Sequence, residues 1–509
     1  VNPAPDHDST PDSTPDPAHV HADAAVLSGL AANPALPSEL VDRLIEVAVA
    51  DVDFVDDLAE RADLSREQAL ALFARVPDSG VRLAGAGRLI AADVDPVAEP
   101  DTALALLDEG RGQPEWARVL VADPCFLRRE RLAACKGLPL DVAETLAADP
   151  DVRVVDELAL CTTSPEIAAR LAAHPHAQVR RALAWNEAVP PAVLLALLAG
   201  EGHDDPPPDT DTSVDDPYEI TVLHIQHAAL RNPSTPTEAA VAFADHPSPM
   251  LRQALAQRPD LPPELGRRLA ADPVPCVRAD LAENPATTDD ALMLVLAEDE
   301  DPDVRRHLAH NPNVPLDLLT RLVATTKIGA VLLPRIATAT PAESEELARS
   351  RDSTVRMLLA VRRDLPAGIR DALATDPDAK VLKTIAPHPG LSEARLRAMV
   401  DRHGVRVLAK VASNPGASGA LLEDLTRHRP PVHKAFREIA RHPHATPQAL
   451  LACLAVTDGR SAAAGHPALL PEAVVELLAD EDHQVARAAA SNPALPRTVM
   501  RQLIRRLMP

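Results

Sequence analysis

The chain has 509 residues, 46% hydrophobic and only 2% aromatic, with 51 Lys and Arg against 75 Asp and Glu and a formal net charge of −24. That balance argues against the broad basic footprint of a DNA or RNA binder, and two Trp, one Tyr and five Phe are too few for a base-stacking platform. Five scattered cysteines give no disulfide framework and fit a reducing cytosol, and no apolar run is long enough to span a membrane.

Residues 1–22, opening Val1-Asn2-Pro3, are rich in Pro, Asp, Ser and Thr. They read as a disordered tail without the basic and apolar regions of a signal peptide. From residue 23 a repeat of about 26 residues takes over. Its marker is Asn33-Pro34, Asn232-Pro233, Asn284-Pro285, Asn311-Pro312, Asn414-Pro415 and Asn492-Pro493, with His388-Pro389, His442-Pro443 and His466-Pro467 in the same register. Successive marker positions at 232, 258, 284, 311, 339, 362, 388, 414, 442, 466 and 492 are 23 to 28 apart. Cys135 and Cys161 take the same slot earlier, and the degenerate stretch 61–135 has the length of about three repeats. Between Asn186 and Asn232 the step is 46, one repeat plus an insertion at 200–219 that is acidic, Pro-rich and almost without apolar residues. It predicts either a disordered surface loop or a docking segment that folds on a basic partner, and it divides the repeats into 23–199 and 220–509.

Each repeat reads as two short helices. In Pro262-Pro263-Glu264-Leu265, proline opens the first helix where its missing N–H costs nothing, and Leu265 and Leu269 share one face. Asp272-Pro273 stops it. The second helix, about Val277 to Ala282, is barely two turns, which suggests 3₁₀ character, and Asn284 is suited to a left-handed end. One such pair cannot bury enough apolar surface to hold itself, so the repeats must stack. The expected fold is all-α, a superhelical α-solenoid of about 18 two-helix repeats, HEAT- or armadillo-like, with mainly nearest-neighbour contacts.

The frame Asp-Pro-x-x-x-Val-Arg-x-x-Leu-Ala-x-Asn-Pro-x-x-Pro, as in Asp301-Pro302 through Pro315, resembles the bacterial leucine-rich repeat variant family over roughly residues 25–505. The resemblance implies alternating α and 3₁₀ helices in a right-handed superhelix and names no function. Some members carry an N-terminal cysteine cluster for iron and sulfur. The first cysteine here is Cys125, so no cofactor is carried over. With 45 Arg against 6 Lys and abundant Ala and Pro, the composition suggests a high-GC bacterial genome.

Charge is polarised along the chain. Residues 1–350 hold 28 Lys and Arg against 59 Asp and Glu, whereas residues 351–509 hold 23 against 16. This suits a solvated surface, a cradle for a partner with acidic and basic ends, or head-to-tail self-association. Arg180, Arg252, Arg278, Arg305 and Arg356 follow a hydrophobic residue at one repeat position, forming a row that either tethers adjacent repeats or grips a partner's carboxylates or phosphates. Trp185 is either packed or an exposed anchor beside the insertion. The His-Pro pairs read as caps or turns, and no metal-ligand set with proper spacing is present. Arg497–Met508 is a basic amphipathic helix expected to cap the last repeat.

No catalytic signature occurs: no nucleophile elbow, P-loop, dinucleotide fingerprint or zinc-protease motif. The expectation is a cytoplasmic, non-enzymatic scaffold that binds an unidentified protein or peptide along its groove, with no cofactor, metal or small-molecule substrate. The alternative is nucleic-acid association through the basic C-terminal third. A helical-repeat enzyme, such as a DNA glycosylase, would need an aromatic-lined pocket that this composition opposes.

Overall fold

The computed structural model describes residues 17–46, 52–200 and 222–507. Among them are 35 α-helices, three short 3₁₀ turns and no strand. The insertion predicted at 200–219 falls outside the described residues except for Gly200, as does 1–16 of the predicted tail. Residues 17–22 belong to the helix Pro17–Ala32.

Two compact units are formed, one from residues 90–403 and one from 1–89 together with 404–509. In the 90–403 unit the second helix of each repeat packs on that of the next. The series runs Phe126–Ala134, Val152–Cys161, Ala177–Trp185, Val222–Arg231, Pro249–Ala256, Pro275–Glu283, Pro302–Leu308. These helices are α rather than 3₁₀ and are longer than predicted. Pro275–Glu283 has nine residues against seven in the preceding first helix, Pro263–Leu269. Proline at the first position starts the helix early, and apolar neighbours on both sides bury Val277 and Leu281 completely.

In the other unit the same stacking runs from Leu408–Ala412 through His433–Ala440 and Thr457–Ala464 to His483–Ala490. It continues without a gap into Pro17–Ala32, Val52–Ala59 and Gly80–Gly85. The expected cap, now Arg497–Leu507, therefore ends nothing: it packs on Pro17–Ala32 and Ser38–Glu46, burying Met500, Leu503 and Ile504. Contacts are not only between neighbours in sequence, because Pro17–Ala32 of the first repeat packs on His483–Ala490 of the last, with Gly29 against Arg487 and Ala490. Two apolar faces that water would otherwise cover are buried against each other.

The marker residues explain how consecutive repeats lock. Asn284 does not adopt the left-handed conformation expected of it (φ −61°, ψ 124°), and no described residue other than glycine does. Its Oδ1 accepts from the Ala286 N–H, and its Nδ2 donates to the carbonyls of Ala256 and Arg258 in the previous repeat. Asn186, Asn232, Asn311 and Asn492 bridge in the same way. Histidine reproduces the pattern with its two ring nitrogens. His466 accepts at Nδ1 from Ala468 and donates from Nε2 to the His442 carbonyl. Where arginine fills the slot it can only donate, so the acceptor is an aspartate two residues on: Arg61 with Asp63, Arg258 with Asp260, Arg362 with Asp364. Cys135 donates its thiol to the Arg131 carbonyl of the preceding helix.

Candidate partner-binding surface

The arginine row lies between repeats. Arg252 donates Nη1 to the carbonyls of His246 and Pro247, and Nε and Nη2 to Asp272 of the next repeat at 2.6 and 3.0 Å. Arg278 repeats this with the Asp272 carbonyl and Asp299, and Arg356 with the Ser350 carbonyl and Asp376. Arg129 with Asp149 is a further member. Its signal in the sequence is an aspartate 20 or 21 residues after the arginine. These pairs are largely withdrawn from water, so each stabilises chiefly by satisfying charge already buried. The hydrogen bond from Arg278 holds Asp299 below the usual carboxylate range against the opposing effect of burial. At Asp272 burial pushes upward, and Arg252 with the Val274 N–H outweighs it. Arg180 is buried and donates to the His174 and Pro175 carbonyls. Arg252, Arg278 and Arg356 are therefore committed within the chain in the tethering geometry, and Arg180 is committed to carbonyls of its own repeat.

Arg305 differs. It donates Nη1 to the carbonyls of Asp299 and Glu300, but among the described residues no carboxylate meets its Nε or Nη2. It stays half-buried on the wall of an open cavity of about 250 Å³.

Trp185 is 41% exposed. The edge of His227 faces its ring at 6.0 Å between centroids, and the Arg231 guanidinium lies 5.9 Å from the ring centre. Burial, with Arg231 and His224 nearby, pushes His227 below its ordinary value. Of the histidines, His388, His442 and His466 are interior ties, while His174 and His246 accept at Nδ1 from the backbone two residues on. All five cysteines are free, and burial raises Cys135 and Cys161 to about 11. Among the described residues no group of three or more His, Cys, Asp or Glu could hold a metal ion, and no helix is long and apolar enough to cross a membrane.

A second row was not read from the sequence. Leu195, Val241, Leu294, Leu451 and Val475 each stand four residues after the first residue of a repeat's first helix, and each is 37–47% exposed. Leu195, Val241 and Leu294 belong to the 90–403 unit, where Val295 adds to them at 61% exposed. Arg267 interrupts the row between Val241 and Leu294. The buried leucines of the same helices masked this signal, because hydrophobic periodicity reports a core face first.

No family model and no curated protein matches the chain. Two solved structures of engineered proteins are similar to it at the level of aligned sequence. One is 18% identical over 89% of this chain and 97% of its own, with a TM-score of 0.15. The other is 13% identical over 75% and 98%, with a TM-score of 0.08.

Proposed function

We propose that the chain is a non-enzymatic α-solenoid scaffold, related to the leucine-rich repeat variant proteins, that binds a protein or peptide across the first helices of its repeats. The carrying observation is the aliphatic set Leu195, Val241 and Leu294, at one position of three repeats, the last two separated by a repeat with Arg267 there, and left in water. Repetition at a constant position makes it a surface along which an extended partner lays several contacts, which is how helical-repeat proteins are used. Arg252, Arg278 and Arg356 and the marker asparagines and histidines are engaged in holding repeats together.

The nucleic-acid alternative loses support in the basic C-terminal third. There Arg487 pairs with Asp57, Arg501 with Glu39 and Arg506 with Asp23, so acidic residues of the N-terminal repeats partly neutralise it. Affinity capture from native lysate tests the reading. A stoichiometric protein that survives nuclease and is lost from the Leu195→Glu, Leu294→Glu, Val295→Glu variant supports it. Nuclease-sensitive recovery indifferent to that variant overturns it.

A further inference from the structure

Arg305 sits where Arg252, Arg278 and Arg356 sit, but the repeat after it has lost the carboxylate. The aspartate that receives each of those arginines lies ten residues after the residue preceding its first helix: Asp272 after Pro262, Asp299 after Asp289, Asp376 after Pro366. Counting from Pro315 gives Thr325. The helix Leu316–Thr325 runs to ten residues where Pro263–Leu269 and Ala367–Leu373 stop at seven, so position 325 is still helical. The Thr325 hydroxyl donates to the Arg321 and Leu322 carbonyls. In place of the aspartate is the cavity of about 250 Å³, bounded by Arg305, Thr325, Arg321, Glu298, Leu318 and Leu322. The same repeat also lacks the other tie: its marker position is Ala339, and its second helix is the single turn Pro334–Ala337.

We propose that this cavity is a binding site for a single carboxylate, taken side-on by Nε and Nη2 of Arg305 as the other arginines take their aspartates. Charge selects that ligand. Asp299, which also lines the cavity, is paired with Arg278, and Glu298 with Arg321 at 3.0 Å, so among the described residues Arg305 is the cation of the wall without an ion pair of its own. Glu300 and Asp301 stand close by in sequence, and their negative field opposes any anion but weighs about twice as heavily on a phosphate dianion as on a single carboxylate. A guanidinium fork matches one planar carboxylate in two parallel hydrogen bonds. The carboxylate belongs to an acidic side chain of a bound peptide or to a free small acid. The site deepens the scaffold reading by naming a recognition element, yet it does not depend on the aliphatic row.

The test is ligand-observed saturation-transfer NMR on the full chain at low salt, with Ac-Ala-Asp-Ala-amide, its Asn counterpart and acetate as probes. The expected result is saturable transfer to the Asp peptide, reduced at least about fivefold for the Asn peptide, for Arg305→Gln and for Thr325→Asp, since a charge-assisted bidentate pair is lost in each. Thr325→Asp keeps the arginine and fills the cavity from within, so its folding, checked by circular dichroism, separates blockade from collapse. Acetate transfer with the same dependence on Arg305 supports the site and assigns it to free acids, whereas transfer to the peptide alone assigns it to a protein segment. No transfer to the native chain, or transfer unchanged in folded Thr325→Asp, overturns the site. Either result leaves lysate capture through the aliphatic row to be judged separately.

Discussion

Asn33 donates its Nδ2 to the Asn492 carbonyl at 2.8 Å across 459 positions of sequence, and to the Ala490 carbonyl at the same distance. This is the bond that Asn492 itself makes to Ala464 and His466 one repeat earlier. The first repeat is thus bonded to the last as though it followed it in the chain. The salt bridge from Arg487 to Asp57 and the burial of Leu30 lie at the same junction.

Gly29 makes that junction possible. A Cβ there would meet the Arg487 carbonyl oxygen and the Ala490 methyl well inside contact distance. Alanine in a helix interior ordinarily gains about 1 kcal/mol over glycine. Here Gly29→Ala is expected to destabilise by ~1–3 kcal/mol through overpacking. Thermal unfolding decides the sign, and a raised midpoint would contradict the packing.

The marker ladder predicts an unusual exchange. Asn492→Ala removes the donor to the Ala464 carbonyl and the acceptor of the Ala494 N–H, leaves the His466 carbonyl with Leu469 alone, and is expected to cost about 1–3 kcal/mol in urea unfolding. Asn492→His restores an acceptor and a donor in the same places, as His466 has, and should recover most of the loss.

Two of the slot histidines impose a pH dependence. Burial, only partly opposed by the bond to Ala360, lowers His388, and burial likewise lowers His466 against its bond to His442. Both are needed neutral. The unfolded chain therefore binds more protons once pH drops through the ordinary value of 6.5, and stability falls from there toward the depressed folded values. The double variant His388→Asn, His466→Asn should flatten stability between about pH 7 and 5, followed by unfolding at fixed temperature across that range.

The arginine row divides by partner. Arg278→Gln leaves Asp299 half-buried without its ion pair, holding only the Asp301 N–H, an expected loss of about 2–4 kcal/mol. Arg305→Gln removes no ion pair, and its cost should stay near the ~1 kcal/mol of an ordinary hydrogen bond. Equal losses in denaturant would show that the two sites are not distinct.

Asp156 works against the fold. Burial, above all, raises it to about 6, Arg181 opposing, and among the described residues its Oδ1 has no hydrogen-bond partner. The folded state holds the proton that the unfolded state releases near 3.8, so stability is lost as pH rises between the two values. Asp156→Asn is expected to stabilise by about 1–2 kcal/mol at pH 7, after allowance for solvent screening, and to have no effect below about pH 4.

Much of this molecule is legible in one dimension. Proline before Glu264 and Leu265, aspartate before Pro273 and asparagine before Pro285 punctuate a short helical pair by local backbone chemistry alone. Their recurrence indicates the all-α class and the repeat boundaries, because each unit must bury the same face on its neighbour. Partners were not legible. Asn284 reads locally as a helix stop, but its amide is spent on carbonyls 26 and 28 residues back. Arg305 shares its local Val-Arg motif with Arg278, and the difference lies at a distance, where Thr325 and Thr326 stand in place of the aspartate and the next helix runs on through position 325. The bond from Asn33 to Asn492 has no local trace either. Short-range preferences set where helices begin and end, whereas which apolar faces meet is decided by the shape of the stacked chain and the water it excludes.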